Sequence, residues 1–318
     1  MLTYILFIIG FILLIKGADL LVDGASSIAK KLNISAIVIG LTIVAFGTSM
    51  PELIVNLFAS MSGNTDIAIG NILGSNIANI LLILGISAII YPLVTKKNTV
   101  WKEIPLNLIA SIILGVMAND MLIDGSGFSG LTRIDGIILI TFFIIFLYYT
   151  FGIAKISGET SETDIKQFSN LKSALYIICG LVSLALGGKW IVDGAIKIAE
   201  LFNISQSLIG LTIVAVGTSL PELATSAIAA YKKQTDIAIG NVVGSNIFNI
   251  FWILGISSII RPLPFNTNSV ADILMTVFAS LILFVIMFIG KKHTVERWQG
   301  ALFIMIYIGY IIFLVSSK

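Results

Sequence analysis

Apolar residues run in ten long stretches along the chain, at 2–27, 36–60, 66–91, 103–119, 134–152, 173–197, 206–230, 236–260, 269–290 and 298–316. Each holds about 17–26 residues, and about 20 mostly apolar residues suffice for a helix to cross the hydrocarbon core of a bilayer. The pattern predicts an all-α membrane protein of ten transmembrane helices. The longest polar break, Lys155 to Asn170, divides the helices five and five, giving a first half 1–154, a linker 155–171 and a second half 172–318. Composition agrees: 57% of the residues are apolar, 11% are charged and the mean hydropathy is +1.04. A soluble domain is usually about 25% charged, so a soluble enzyme and a disordered chain are excluded. A net charge of +2 gives no reason to expect a nucleic-acid partner.

Lysine and arginine orient the helices. With the N-terminus outside, the predicted inner loops hold Lys30, Lys31, Lys96, Lys97, Lys102, Lys155, Lys166, Lys172, Lys232, Lys233, Lys291, Lys292 and Arg297, and the outer loops hold Arg133, Lys197, Arg261 and Lys318. That excess predicts that both termini face outside a cell membrane. The first residues carry no positive n-region and no small-residue cleavage site follows, so the N-terminus reads as a retained helix. Cys179 is expected to be a core thiol, and the sole histidine, His293, leaves no histidine-based metal site.

The strongest feature is an internal repeat. Residues 17–93 align without gaps on 187–263 at an offset of 170, with about 46 identities in 77 positions. Polar residues match as well as apolar ones: Gly47-Thr48-Ser49-Met50-Pro51-Glu52 pairs with Gly217-Thr218-Ser219-Leu220-Pro221-Glu222, and Gly70-Asn71-Ile72-Leu73-Gly74-Ser75-Asn76-Ile77-Ala78-Asn79 pairs with Gly240-Asn241-Val242-Val243-Gly244-Ser245-Asn246-Ile247-Phe248-Asn249. Because five helices make up each half, the second half must insert upside down relative to the first. Inverted repeats of this kind bring counterpart residues together near mid-membrane, as in many transporters.

Glu52 and Glu222 lie in stretches with no Lys or Arg, where an ionised carboxylate costs several kcal/mol unless a partner neutralises it. Lys16 or Lys189 could reach across, although neither has a counterpart in the other repeat. The neighbouring residues suit a cation. Pro51 and Pro221 lack the N–H that would continue the helix, so the preceding turn has free carbonyls, which membranes tolerate only beside a cavity or ligand. Proline also restarts the helix and places the glutamate in its first turn, where the dipole favours negative charge. Carbonyls, Thr and Ser hydroxyls and one carboxylate per repeat, doubled, provide the six to eight oxygens that Ca²⁺ takes. Two carboxylates about 5 Å apart repel by roughly 3 kcal/mol at an effective dielectric of 20, and one Ca²⁺, two Na⁺ or two protons would neutralise them. Ser75 and Asn79, like Ser245 and Asn249, share a helix face. Asn71, Asn76 and their counterparts could supply oxygens or tie the broken helices together, and Gly70, Gly74, Gly240 and Gly244 form a stripe suited to close packing.

These paired motifs resemble the alpha-repeats of the cation/Ca²⁺ exchanger superfamily, most of all its prokaryotic Na⁺/Ca²⁺ exchangers. The resemblance spans nearly the whole chain. It implies ten helices in two inverted five-helix repeats with helices broken at mid-membrane, and a gate formed by the first and sixth helices sliding against a core. It implies Ca²⁺ ligands at the Glu52 and Glu222 side chains and the Thr48 and Thr218 backbone oxygens. For Na⁺ it adds Ala45, Ser49, Ser75, Asn79, Ala215, Ser219, Ser245 and Asn249. Many relatives carry Asp where this chain has Asn249, so both repeats here end in an amide. The Ca²⁺/H⁺ branch typically has Gly-Asn-Ala before its glutamate, unlike Gly-Thr-Ser here, which ranks Na⁺ above H⁺ as counter-ion. No covalent cofactor and no obligatory protein partner is expected.

Other signals are weaker. Gly127-Phe128-Ser129-Gly130 matches the pattern around intramembrane serine protease nucleophiles, but it lies in a predicted outer loop with His293 on the opposite side. Asp23 and Asp193 could line an ion path or cap helix ends. No Walker-type phosphate loop is present, so the driving force is expected to be an ion gradient. The chain is expected to be a secondary exchanger and not an enzyme, with a passive channel and a scaffold as competing readings.

Overall fold

The computed structural model describes residues 2–125, 129–154, 166–201, 215–265 and 267–316. The described helices are α1 (Leu2–Lys31), α2 (Ala36–Thr48), α3 (Met50–Ser62), α4 (Thr65–Ile90), α5 (Lys97–Met117), α6 (Asp120–Asp124), α7 (Arg133–Ala154), α8 (Asn170–Leu201), α9 (Ala215–Thr218), α10 (Leu220–Tyr231), α11 (Thr235–Ile260), α12 (Thr267–Ile286) and α13 (Arg297–Ser316). Among the described residues eight helices are long and apolar enough to cross a membrane, and nine when α2 and α3, bent by 47°, count as one. The first part of the expected seventh stretch, 206–214, lies outside the described residues, and α9 and α10 are its remainder.

Helix ends differ from the hydropathy boundaries where polar residues remain helical. α1 continues through Ser26, Ser27, Lys30 and Lys31, and α5 begins at Lys97. The chain turns after α3 at Gly63 (φ +83°) and after α10 at its repeat counterpart Lys233 (φ +60°). Left-handed backbone suits glycine at a helix C-terminus and is uncommon for lysine, so the repeat conserves a conformation there and not a residue.

Packing is centred on α4 and α11, each 78% buried over its most apolar window. Around them the helices meet through glycines. A Cβ on Gly17 would lie 2.9 Å from the Gly180 carbonyl, one on Gly10 2.9 Å from the Gly187 carbonyl, and one on Gly24 2.8 Å from the Ser173 carbonyl. Rising numbers on α1 meet falling numbers on α8, so the two helices are antiparallel and separated by little more than backbone. Gly85 of α4 meets Gly300 of α13, and Gly255, its counterpart on α11, meets Gly136 of α7. Gly240 and Gly244 pack against Ile37, Gly40, Leu41 and Ala45 of α2, as the stripe reading expects of them, whereas a Cβ on Gly70 or Gly74 would meet nothing among the described residues within 4 Å.

Two-residue strands join loops: β1 (Leu93–Val94) with β4 (Thr294–Val295), and β2 (Gly130–Leu131) with β3 (Leu263–Pro264). On the side of β1 and β4, Thr235 bonds Val94 and Lys232 pairs with Asp19 and Asp23. On the side of β2 and β3, Arg261 packs on Gly63. Cys179 is exposed on α8, so the expected core thiol is corrected: a helix bathed in lipid can bear an apolar run on its outer face.

Candidate ion-binding site

The α2–α3 break has the geometry that proline dictates. The Ser49 N–H reaches the Ala45 carbonyl at 3.0 Å and the Leu53 N–H reaches the Ser49 carbonyl at 3.1 Å, with Ser49 itself out of helical conformation (φ −82°, ψ 7°). The carbonyl of Gly47, four residues before Pro51, falls in the gap between these two bonds, because Pro51 has no N–H to give it. Between α9 and α10, Ser219 adopts the same conformation (φ −86°, ψ 5°). Stretches of π-helix lie close by, at Gly40–Val44, Asn79–Ile83 and Phe248–Leu254, and such bulges are frequent at functional sites.

Glu52 opens α3 and Glu222 opens α10, each 1% exposed. Their contacts cross between the halves. Ser49 donates to Glu222 Oε1 at 2.9 Å, and Ser219 donates to Glu52 Oε1 at 3.2 Å. Ser75 donates to Glu52 Oε1 and Ser245 to Glu222 Oε1, both at 3.4 Å. Ser219 also bonds Ser75, at 3.1 Å. Thr48 donates to Asn241 Oδ1 (2.9 Å) and Thr218 to Asn71 Oδ1 (3.2 Å). Apart from Ser219–Ser75, each of these contacts has its mirror 170 positions away, so both halves contribute to the cluster. Lys16 and Lys189 are exposed on α1 and α8, which removes the salt-bridge alternative.

Beside Asn71 Nδ2, an unmatched donor, four buried oxygens of the side chains expected in the site have no hydrogen-bond partner: Glu52 Oε2, Glu222 Oε2, Asn79 Oδ1 and Asn249 Oδ1. All four are acceptors. A buried acceptor left unmatched costs about 1–3 kcal/mol, more when charged, and a hard cation satisfies several such oxygens together. Among the described residues no three His, Cys, Asp or Glu side chains cluster to hold a metal. What gathers instead is two carboxylates with hydroxyls and amides, an all-oxygen set that suits Ca²⁺ and Na⁺ better than a softer metal.

Of the residues expected in the site, Ser49, Glu52, Ser75, Ser219, Glu222 and Ser245 touch one another. Thr48 and Thr218 donate their hydroxyls to the asparagines Asn241 and Asn71. The Ala45 carbonyl already accepts from the Ser49 N–H (3.0 Å) and the Thr48 hydroxyl (3.3 Å). Ala215 begins α9. Of the protease-like tetrad, Gly127 and Phe128 lie outside the described residues, and Ser129 Oγ accepts the Met121 N–H. Asp23 pairs with Lys232.

Sequence reasoning missed two part-buried acid–tyrosine pairs. Tyr149 donates to Glu103 at 2.9 Å and Tyr310 to Asp272 at 2.6 Å. Glu103 and Asp272 stand 169 apart, just off the repeat offset, and that near-match was the available signal.

The family model for the sodium/calcium exchanger protein matches residues 2–152 and 172–316. The chain belongs to this family. Similar members include the sodium/calcium exchanger MaX1 of Methanosarcina acetivorans, 33% identical over 348 residues with 98% of each chain covered. The membrane protein MJ0091 of Methanocaldococcus jannaschii is 39% identical over 303 residues, covering 95% of this chain and 94% of its own. Among solved structures, the sodium-calcium exchanger NCX_Mj soaked with 10 mM Na⁺ and zero Ca²⁺ superposes with a TM-score of 0.85 at 39% identity, with 98% of each chain covered.

Proposed function

We propose that this protein is a secondary antiporter that exchanges Ca²⁺ for Na⁺ across a cell membrane by alternating access. The observation that carries this reading is the quartet of unmatched oxygens, two of them carboxylate, within a reciprocal shell of hydroxyls and amides. Ionised Glu52 and Glu222 give the site two negative charges, and Asn79 and Asn249 add oxygen without charge. One Ca²⁺ or two Na⁺ balance that charge, so two different loads neutralise the same site. An emptied site leaves two carboxylates without counter-charge in a dry interior, which disfavours return without cargo. The expected ligands are Glu52 and Glu222, the Thr48 and Thr218 backbone oxygens, Ser49, Ser75, Asn79, Ser219, Ser245 and Asn249, with Ala45 and Ala215 at the edge of the set.

The architecture we infer is ten helices in two inverted halves, 1–154 and 172–318, joined by an inner linker, with both termini outside. Antiparallel α1 and α8 support this, as do mirrored contacts 170 residues apart and loop pairs that sort onto two sides. The smooth glycine seam between α1 and α8 suits them to move together as a gate against the core. Binding requires no cofactor and no protein partner, and Ca²⁺, Na⁺ and the lipid bilayer suffice for function.

The test is ⁴⁵Ca²⁺ uptake into proteoliposomes. Uptake that needs Na⁺ preloaded inside supports the proposal. Uptake without Na⁺ indicates a channel, uptake driven by a pH gradient a Ca²⁺/H⁺ antiporter, and no uptake a scaffold; each of these overturns it.

A further inference from the structure

Asn76 and Asn246 contact neither carboxylate, yet they decide which atom Asn79 and Asn249 turn to the site. Asn76 Nδ2 donates to the backbone carbonyl of Asn246, and Asn246 Nδ2 to the backbone carbonyl of Asn76, both at 3.4 Å. Asn249 Nδ2 donates to Asn76 Oδ1, and Asn79 Nδ2 to Asn246 Oδ1, both at 2.9 Å. All four side chains are buried, at most 1% exposed.

Amide nitrogen and oxygen are told apart only by their bonding network, and this network has one solution. A backbone carbonyl can only accept. It therefore holds Asn76 by its nitrogen, leaving Asn76 Oδ1 as the atom that faces Asn249. That oxygen accepts, so Asn249 must offer its nitrogen and keep its own oxygen free. The same logic, mirrored, runs from the Asn76 carbonyl through Asn246 to Asn79. The two oxygens left over are the two unmatched amide oxygens at the site.

We propose that Asn76 and Asn246 are positioning residues that lock Asn249 and Asn79 with carbonyl oxygen, and not NH₂, toward the transported cation. The inference rests on the exchanger reading above. Without the lock, each ligand amide can turn over and present N–H donors to a positive charge. Loss of such an outer partner typically weakens a metal site by 10–100-fold. The lock also ties cation affinity to contact between the halves, since each ligand is held by an asparagine of the opposite repeat.

The test uses the full-length protein in proteoliposomes, with Na⁺-driven ⁴⁵Ca²⁺ uptake and the half-saturating Ca²⁺ and Na⁺ concentrations measured separately. For Asn76→Ala we expect at least one of these to rise about tenfold while the maximal rate stays within about threefold. Because Asn76 acts through Asn249, Asn76→Ala should change nothing further in an Asn249→Ala background. A merely structural contact would instead give losses that multiply, or a lower rate with unchanged half-saturation, and either result overturns the inference. Asn246→Ala in the Asn79→Ala background repeats the cycle on the other side. Asn76→Ser, whose hydroxyl still accepts an N–H, should fall between the unmodified protein and Asn76→Ala, and it serves if the alanine variant does not assemble. Absence of Na⁺-driven uptake by the unmodified protein would sink the exchanger reading itself; normal uptake with multiplying losses would sink only this inference.

Discussion

The seam between α1 and α8 can be tested by adding a single carbon. At Gly17 a Cβ would sit 2.9 Å from the Gly180 carbonyl oxygen, 2.9 Å from Ser183 Cβ and 3.0 Å from the Leu184 nitrogen. Two of these are backbone atoms and cannot rotate away. Ordinary contact requires about 3.5–4.0 Å, so Gly17→Ala must push the helices apart by about half an ångström or more. Separation of that size also loosens the Gly10–Gly187 and Gly24–Ser173 contacts on either side, because the helices are rigid. Overpacking of this kind costs about 1–3 kcal/mol. The helix-propensity gain of alanine over glycine does little to offset it, since a membrane-inserted helix is already formed before it packs. At about 2 °C per kcal/mol for a chain of this length, thermal unfolding in detergent should drop by about 2–6 °C. Gly180→Ala, whose Cβ would lie 2.8 Å from the Gly17 carbonyl, should behave alike. Gly309→Ala on α13 is the control, because its Cβ meets nothing among the described residues within 4 Å. Equal melting temperatures for Gly17→Ala and Gly309→Ala would refute backbone-close packing of this seam.

Glu52→Gln or Glu222→Gln should abolish Na⁺-driven ⁴⁵Ca²⁺ uptake, since each removes one of two charges that balance a divalent ion; normal flux in either variant would exclude that residue from the site. Asn249→Asp deletes the N–H that Asn76 Oδ1 accepts and sets two acceptor oxygens against each other, so uptake should vary with pH more steeply than in the unmodified protein, and an identical pH profile would contradict the bonding network. Lys232→Met leaves Asp19 and Asp23 facing one another one turn apart on α1. Because all three side chains are part-exposed, at 23%, 43% and 32%, the loss in melting temperature should be small, about 2 °C or less, and should shrink in 1 M NaCl; a loss that salt does not change would rule out an electrostatic origin.

The convergence of the two motifs was legible in the sequence because polar residues in an apolar chain need partners, and these recur at a fixed offset. Gly-Thr-Ser followed by Pro-Glu specifies a broken helix with a carboxylate in its new first turn, and Ser49, Ser219, Glu52 and Glu222 meet accordingly. The apolar runs located the helices for a similar reason, since spanning length is a strong constraint. What could not be read was pairing. Gly10, Gly17 and Gly24 are seven residues apart, but nothing local says that they face Gly187, Gly180 and Ser173. Likewise, the motifs do not reveal that Asn76 bonds Asn249 and Asn246 bonds Asn79, because that pairing is made across the two halves. Cys179 was misplaced because hydropathy separates membrane from water and says nothing about core against lipid.

The two halves are equal at the site and unequal at its ends. Lys232 bonds Asp19 and Asp23, tying the loop after α10 to α1. Shifted by the repeat offset, these positions become Ser62, Lys189 and Asp193, so the lysine has an uncharged counterpart and one of its aspartates a basic one. If alternating access exchanges the conformations of the two halves, the opposite state gives up this ion pair and gains no equivalent. A part-exposed pair is worth about 1 kcal/mol or less, which is at most about a fivefold bias between the two end states. Sodium and calcium gradients across a membrane are steeper than that. The asymmetry therefore adds a small bias toward one end state, while the direction of exchange follows the gradients.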